Sequence, residues 1–163
     1  MSIGRRDYIL TMIEQIGELL ARLTTRRESA QQKSAASSQE ALQSIVQSCE
    51  RLFGMEATRL FQFTPEQHFL MLAEAESPEN ARDKILLYAA LCAEAGQTYA
   101  QLGKPEMSRH SVTNALRLTL KAQQSYGTES LPLFAPNVAD LLTALKDAPL
   151  DAETAELVRA MAN

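Results

Sequence analysis

The run Ala90-Leu91-Cys92-Ala93-Glu94-Ala95-Gly96-Gln97-Thr98-Tyr99-Ala100-Gln101-Leu102-Gly103 is made of small residues, one tyrosine and a closing glycine, and Pro105 follows it. Small side chains along a helix let a neighbouring helix approach closely. A glycine just past a helix suits the left-handed stop, and a proline suits the first position of the next helix. The pattern predicts an antiparallel helical hairpin over residues 78–126. Its first helix opens at Ser77-Pro78 and runs to Leu102; its second opens at Pro105 and ends near Tyr126-Gly127.

The rest of the chain is equally helical in pattern. Ile9, Met12, Ile16, Leu19 and Leu23 recur at spacings of three and four, with Ile13 and Leu20 widening the stripe. So broad a face belongs to a helix packed in a bundle. This N-terminal amphipathic helix falls within residues 1–30 and is predicted to start at Asp7. Residues 31–37 are rich in Ser, Gln and Ala without an apolar stripe, and are expected to form a mobile loop. Ser37 and Glu40 suggest a capping box for a helix carrying Leu42, Ile45, Val46, Cys49, Leu52 and Phe53, stopped by Gly54. One helical turn is expected around Leu60 and Phe61. Thr64-Pro65-Glu66-Gln67 is a strong start for a helix to about Glu76 that buries Phe69, Leu70 and Leu72. Leu131 to Pro136 reads as a stiff apolar connector across the core. Asn137 and Asp151 are predicted to cap the last two helices. No period-two segment is long enough for a strand, so the expectation is a single all-α domain over residues 1–163, a bundle of six to seven helices around the central hairpin.

Composition narrows the function classes. With 163 residues, the chain is large enough to bury about 70% of its unfolded surface as one domain. Sixteen cationic side chains face twenty anionic ones, a net charge of −4 that disfavours general nucleic-acid binding. Arg5, Arg6, Arg22, Arg26, Arg27 and Lys33 give the N-terminal third a local basic bias. The functional reading is an anionic partner such as RNA, a phosphorylated ligand or a membrane surface; dipole complementation and solubility explain the same residues, and few aromatics interleave with these charges to stack on bases. No secretory signal and no transmembrane stretch is read from the sequence, which makes the cytoplasm the expected location. Cys49 and Cys92, each in an apolar helical run, are expected to be reduced thiols.

Chemistry-bearing constellations are sparse. Glu106 and His110 stand at i and i+4 and could offer two metal ligands, far short of a site; a solvated pair explains them equally. His68 is the remaining histidine. Cys92 has no nearby His or Lys in sequence to lower its pKa, so it reads as packing rather than as a nucleophile. Gly96 and Gly103 are explained by the hairpin, leaving no phosphate loop. Neither enzyme activity nor a cofactor is expected.

The hairpin from about Leu87 to Leu120 resembles a single tetratricopeptide repeat, since Gly96, Tyr99, Gly103 and Ala115 lie at the mutual spacings of that motif. It departs from the motif at Cys92, Ala95 and Ser108, and no proline closes it near Leu120. No second copy occurs at a 34-residue period, so flanking helices must cover the hairpin. The opening Asp7-Tyr8-Ile9-Leu10-Thr11-Met12-Ile13-Glu14, the Leu52-Phe53-Gly54-Met55 junction and the hairpin together resemble a family of small bacterial all-helical proteins without an established activity. That resemblance implies a bacterial source and a helical fold.

Two readings of function follow. The first is a non-catalytic protein-interaction or scaffold module. By the tetratricopeptide resemblance its protein or peptide partner would sit on Ala93, Gln97, Ala100 and Gln101, and a homodimer would use Ile9, Met12, Ile16, Leu19 and Leu23. The alternative is a small-molecule or lipid-binding bundle with Phe53, Phe61, Phe63, Phe69 and Phe134 lining a pocket.

Overall fold

A computed structural model describes residues 2–28 and 34–162, and these form eight helices and no strand. They are α1 (Ser2–Glu28), α2 (Ala35–Phe53), α3 (Ala57–Leu60), α4 (Pro65–Ala73), α5 (Pro78–Gln101), α6 (Pro105–Tyr126), α7 (Val138–Ala144) and α8 (Ala152–Ala162). The all-α expectation holds, and the helix beyond the expected seven is the single turn α3.

Helix boundaries follow local chemistry. Thr64 accepts from the Gln67 amide while the Gln67 side chain accepts from the Thr64 amide, closing the capping box ahead of Pro65. Ser77, Asn137 and Asp151 cap α5, α7 and α8 in the same sense. Gly54, at φ 71°, provides the left-handed stop of α2 and donates to the Glu50 carbonyl.

Four expectations need correction. Helix α1 begins at Ser2, so Asp7 lies inside its early turns, exposed, rather than at its cap. Helix α2 begins at Ala35, its cap three residues ahead of the expected Ser37, because Ser34 takes that role and accepts from the Ser37 amide. Residues 34–37 are therefore cap and helix; of the expected loop, 31–33 lie outside the described residues, as does Lys33. Leu70 is 67% exposed, because the short α4 turns His68, Phe69 and Leu72 inward and leaves Leu70 on its outer side.

The core is organised around α5. Residues Ile85 to Leu91 are all buried, so this helix is covered on every side over two turns. It packs on α6, α2, α1 and α4. One apolar cluster joins α1, α2, α4 and α5; a second joins Val112, Ala115, Leu116 and Leu120 of α6 to Leu141 and Leu145. Cys92 packs against both clusters. At Gly96 the α5–α6 approach is close: an added Cβ would meet Val112 Cγ2 at 2.5 Å and the Ser108 carbonyl at 3.2 Å. Ser108 Oγ donates to the Gly96 carbonyl at 2.7 Å, so its hydroxyl does work that alanine could not.

The broad face of α1 is consumed by this core. Ile9, Met12, Ile16 and Leu23 are buried, and Leu19 packs beside them. The expected dimer face is thus covered by the chain's own α2 and α5. Apolar periodicity reports that a face is buried without saying by what.

Candidate functional site

Between α1 and α5 the surface opens into a groove of about 790 Å³. Its floor is cut from small residues, Gly17 and Ala21 of α1 and Ala90 and Ala93 of α5, with Ile13 and Leu20 between them. The connector after α6 forms the far wall, contributing Leu133, Phe134 and Pro136. Arg82 anchors the start of that connector by donating to the carbonyls of Glu129 at 2.8 Å and Ser130 at 3.2 Å.

Phe134 lies against Gly17. A Cβ there would sit 3.3 Å from Phe134 Cδ2, tighter than ordinary van der Waals contact. Leu131, Phe134 and Ala135 pack on the main core, as the apolar connector predicts. Leu133 does the opposite: at 106% relative exposure it projects fully into solvent at the groove wall. A leucine held outward beside a groove, while its neighbours pack inward, adds apolar surface where a partner could cover it.

The groove is closed at one end by charge. Arg27 Nε and one terminal nitrogen donate to the two Glu94 oxygens at 2.9 and 3.1 Å, a bidentate pair. The Glu94 hydrogen bond raises the Arg27 pKa further above its already basic value, against the opposing effect of burial. Glu14, Glu18, Glu28 and Asp140 complete the acidic lining.

The residues singled out in the sequence are dispersed. Ala93 lies on the floor of this groove. Gln97 and Ala100 instead line a separate cleft of about 650 Å³ with Ser108, Arg109 and Leu145. Gln101 belongs to a third cleft of about 280 Å³ beside α2, where it accepts from Ser38 Oγ at 3.3 Å. By helical spacing the four share one side of α5, and the clefts along that side divide them among different neighbours.

The phenylalanines make separate contacts, and Phe63 is half-buried. Phe53 makes edge contacts with His68 and Tyr88, Phe69 stacks on Tyr126 at 6.2 Å, Phe61 is exposed, and Phe134 lies on Gly17. His110 is exposed and its Nε2 stands 3.3 Å from the Asn114 amide. Among the described residues, no group of three or more His, Cys, Asp or Glu side chains could hold a metal ion.

His68 belongs to a buried network. Its Nε2 donates to the Leu60 carbonyl at 2.8 Å, which leaves Nδ1 to accept from the Tyr88 hydroxyl at 3.1 Å. Burial lowers the His68 pKa and raises that of Tyr88, so both stay neutral. Cys49 and Cys92 are free thiols; burial pushes Cys49 well up and Cys92 up to about 12. Such thiols are poor nucleophiles.

The groove itself escapes sequence reasoning, since its walls come from residues 13–28, 90–94 and 133–140. One signal was present: Glu94 is the single charge in the run from Ala90 to Gly103. A carboxylate inside an alanine-rich buried helix demands a partner. No helix among the described residues is long and apolar enough to cross a membrane. No family model, curated protein or solved structure matches the chain.

Proposed function

We propose that this chain is a non-catalytic protein-interaction module whose docking surface is the groove between α1 and α5. The observation that carries the reading is Leu133, fully exposed beside a floor of Gly17, Ala21, Ala90 and Ala93. Small floor residues admit a helix or peptide to close backbone approach, and an exposed leucine at the wall gives it an apolar anchor. The hairpin α5–α6, which resembles a tetratricopeptide unit, serves here as the rigid scaffold that presents Ala90 and Ala93. In this reading the module works in the cytoplasm with both thiols reduced.

Two substitutions test it. Ala93→Trp fills the floor, and Leu133→Ser removes the anchor without disturbing the core. Immobilised wild-type protein and a Gln97→Ala control retain a common partner that both groove variants lose, while all four melt cooperatively. A partner lost from Gln97→Ala and retained by the groove variants overturns the assignment.

A further inference from the structure

The chain's charge is not spread evenly over its surface. Among the groove-lining residues, Glu14, Glu18, Glu28, Glu94 and Asp140 are anionic and Arg27 alone is cationic. Removing these from the sixteen cations and twenty anions of the chain leaves fifteen of each elsewhere. The net charge of −4 is therefore the charge of the groove.

Stability does not call for this arrangement. Glu14 and Glu18 stand at i and i+4 on α1, a like-charge spacing that disfavours the helix. Among the described residues, no ion pair joins Glu14, Glu18 or Asp140 to a cation. The one cation in the groove, Arg27, is neutralised by Glu94. The lining thus combines an apolar floor, an exposed leucine and a rim of carboxylates, of which Glu14, Glu18 and Asp140 make no ion pair among the described residues.

We infer that the groove takes a basic amphipathic helix, its apolar face on the small-residue floor and Leu133, its lysines or arginines against the carboxylate rim. The inference rests on the docking reading above and adds the partner's chemistry. Lining residues on α1 run from Ile13 to Glu28, about 22 Å at the helical rise, which matches a partner helix of roughly four turns. Complementary rim charge accelerates encounter and selects against acidic segments. An acidic rim equally disfavours an anionic lipid surface.

The test uses purified full-length protein and synthetic helices of about 18 residues with leucine at the i, i+3, i+4, i+7 positions. Three versions carry lysine, glutamine or glutamate on the flanks. Fluorescence anisotropy at low salt is expected to show saturable binding of the lysine peptide alone. The triple variant Glu14→Gln/Glu18→Gln/Glu28→Gln, all exposed positions, weakens it about tenfold, as does raising salt to 1 M, where the screening length is about 3 Å. Ala93→Trp removes it. Equal binding of the glutamine or glutamate peptide, still lost in Ala93→Trp, overturns the charge inference and leaves the docking reading standing. Binding of the lysine peptide that survives Ala93→Trp, or binding of none of the three, overturns both. Self-association in sedimentation that Ala93→Trp abolishes replaces the basic helix with a second copy of the chain.

Discussion

Arg27 and Glu94 are joined by two parallel hydrogen bonds, at 2.9 and 3.1 Å, that tie the last turns of α1 to the middle of α5. The pair is asymmetric: the Glu94 side chain is 9% exposed and that of Arg27 is 25%. Removing the arginine strands a buried carboxylate, whereas removing both leaves no unpaired charge behind.

Arg27→Ala is therefore predicted to cost about 2 kcal/mol in urea unfolding, below the range for a fully buried pair because Arg27 is partly hydrated. Arg27→Met/Glu94→Leu recovers most of that loss. A loss under about 0.5 kcal/mol for Arg27→Ala would show that Glu94 reaches water in the native state.

The two glycines packed against side chains give opposite predictions for one substitution. At Gly96 the new methyl collides with Val112, a branched side chain held between α5 and α6, so Gly96→Ala costs about 1–2 kcal/mol despite alanine's better helix propensity. At Gly17 the methyl meets only the edge of Phe134, half-buried on a connector that can yield. Gly17→Ala is neutral or stabilising by about 0.5 kcal/mol. Thermal unfolding of both variants checks the pair. In a double-mutant cycle, Gly96→Ala/Val112→Ala is less damaging than the sum of its parts.

His68 makes stability depend on pH in a definite direction. Burial lowers its pKa in the folded chain below the ordinary 6.5, while the unfolded chain keeps that value. The unfolded state thus binds the proton first as pH falls. Stability is full above about pH 6.5 and declines as pH drops from there toward the lowered folded value. Tyr88, the titratable group facing the ring, stays protonated throughout this range. Unfolding of His68→Gln between pH 7.5 and 5 should lack this component; an unchanged pH slope would place the wild-type dependence elsewhere.

Much of the helical frame is legible because its signals are local. Thr64, Ser77, Asn137 and Asp151 each cap a helix through their own side chain within three residues, and Gly54 stops one through its own φ. The start of α2 is ambiguous in sequence because Ser34, Ser37 and Ser38 all qualify as caps by chemistry. The choice is consistent with tertiary structure, since Ser38 is buried and donates to Gln101. The stripe on α1 announces burial, yet a homodimer and an intramolecular core write the same periodicity. The groove is least legible, because small residues on α1 and α5 acquire meaning only when a connector more than 30 residues further on folds back over them.

The central claim, that the groove between α1 and α5 receives a helix, is tested most directly by amide chemical shifts. Titrating the lysine-flanked peptide into isotopically labelled protein should move Gly17, Ala21, Ala90, Ala93 and Leu133 together, along one saturation curve. Shifts confined to Gln97, Ala100, Ser108 and Leu145 of the neighbouring cleft, or no shifts at saturating peptide, would contradict it.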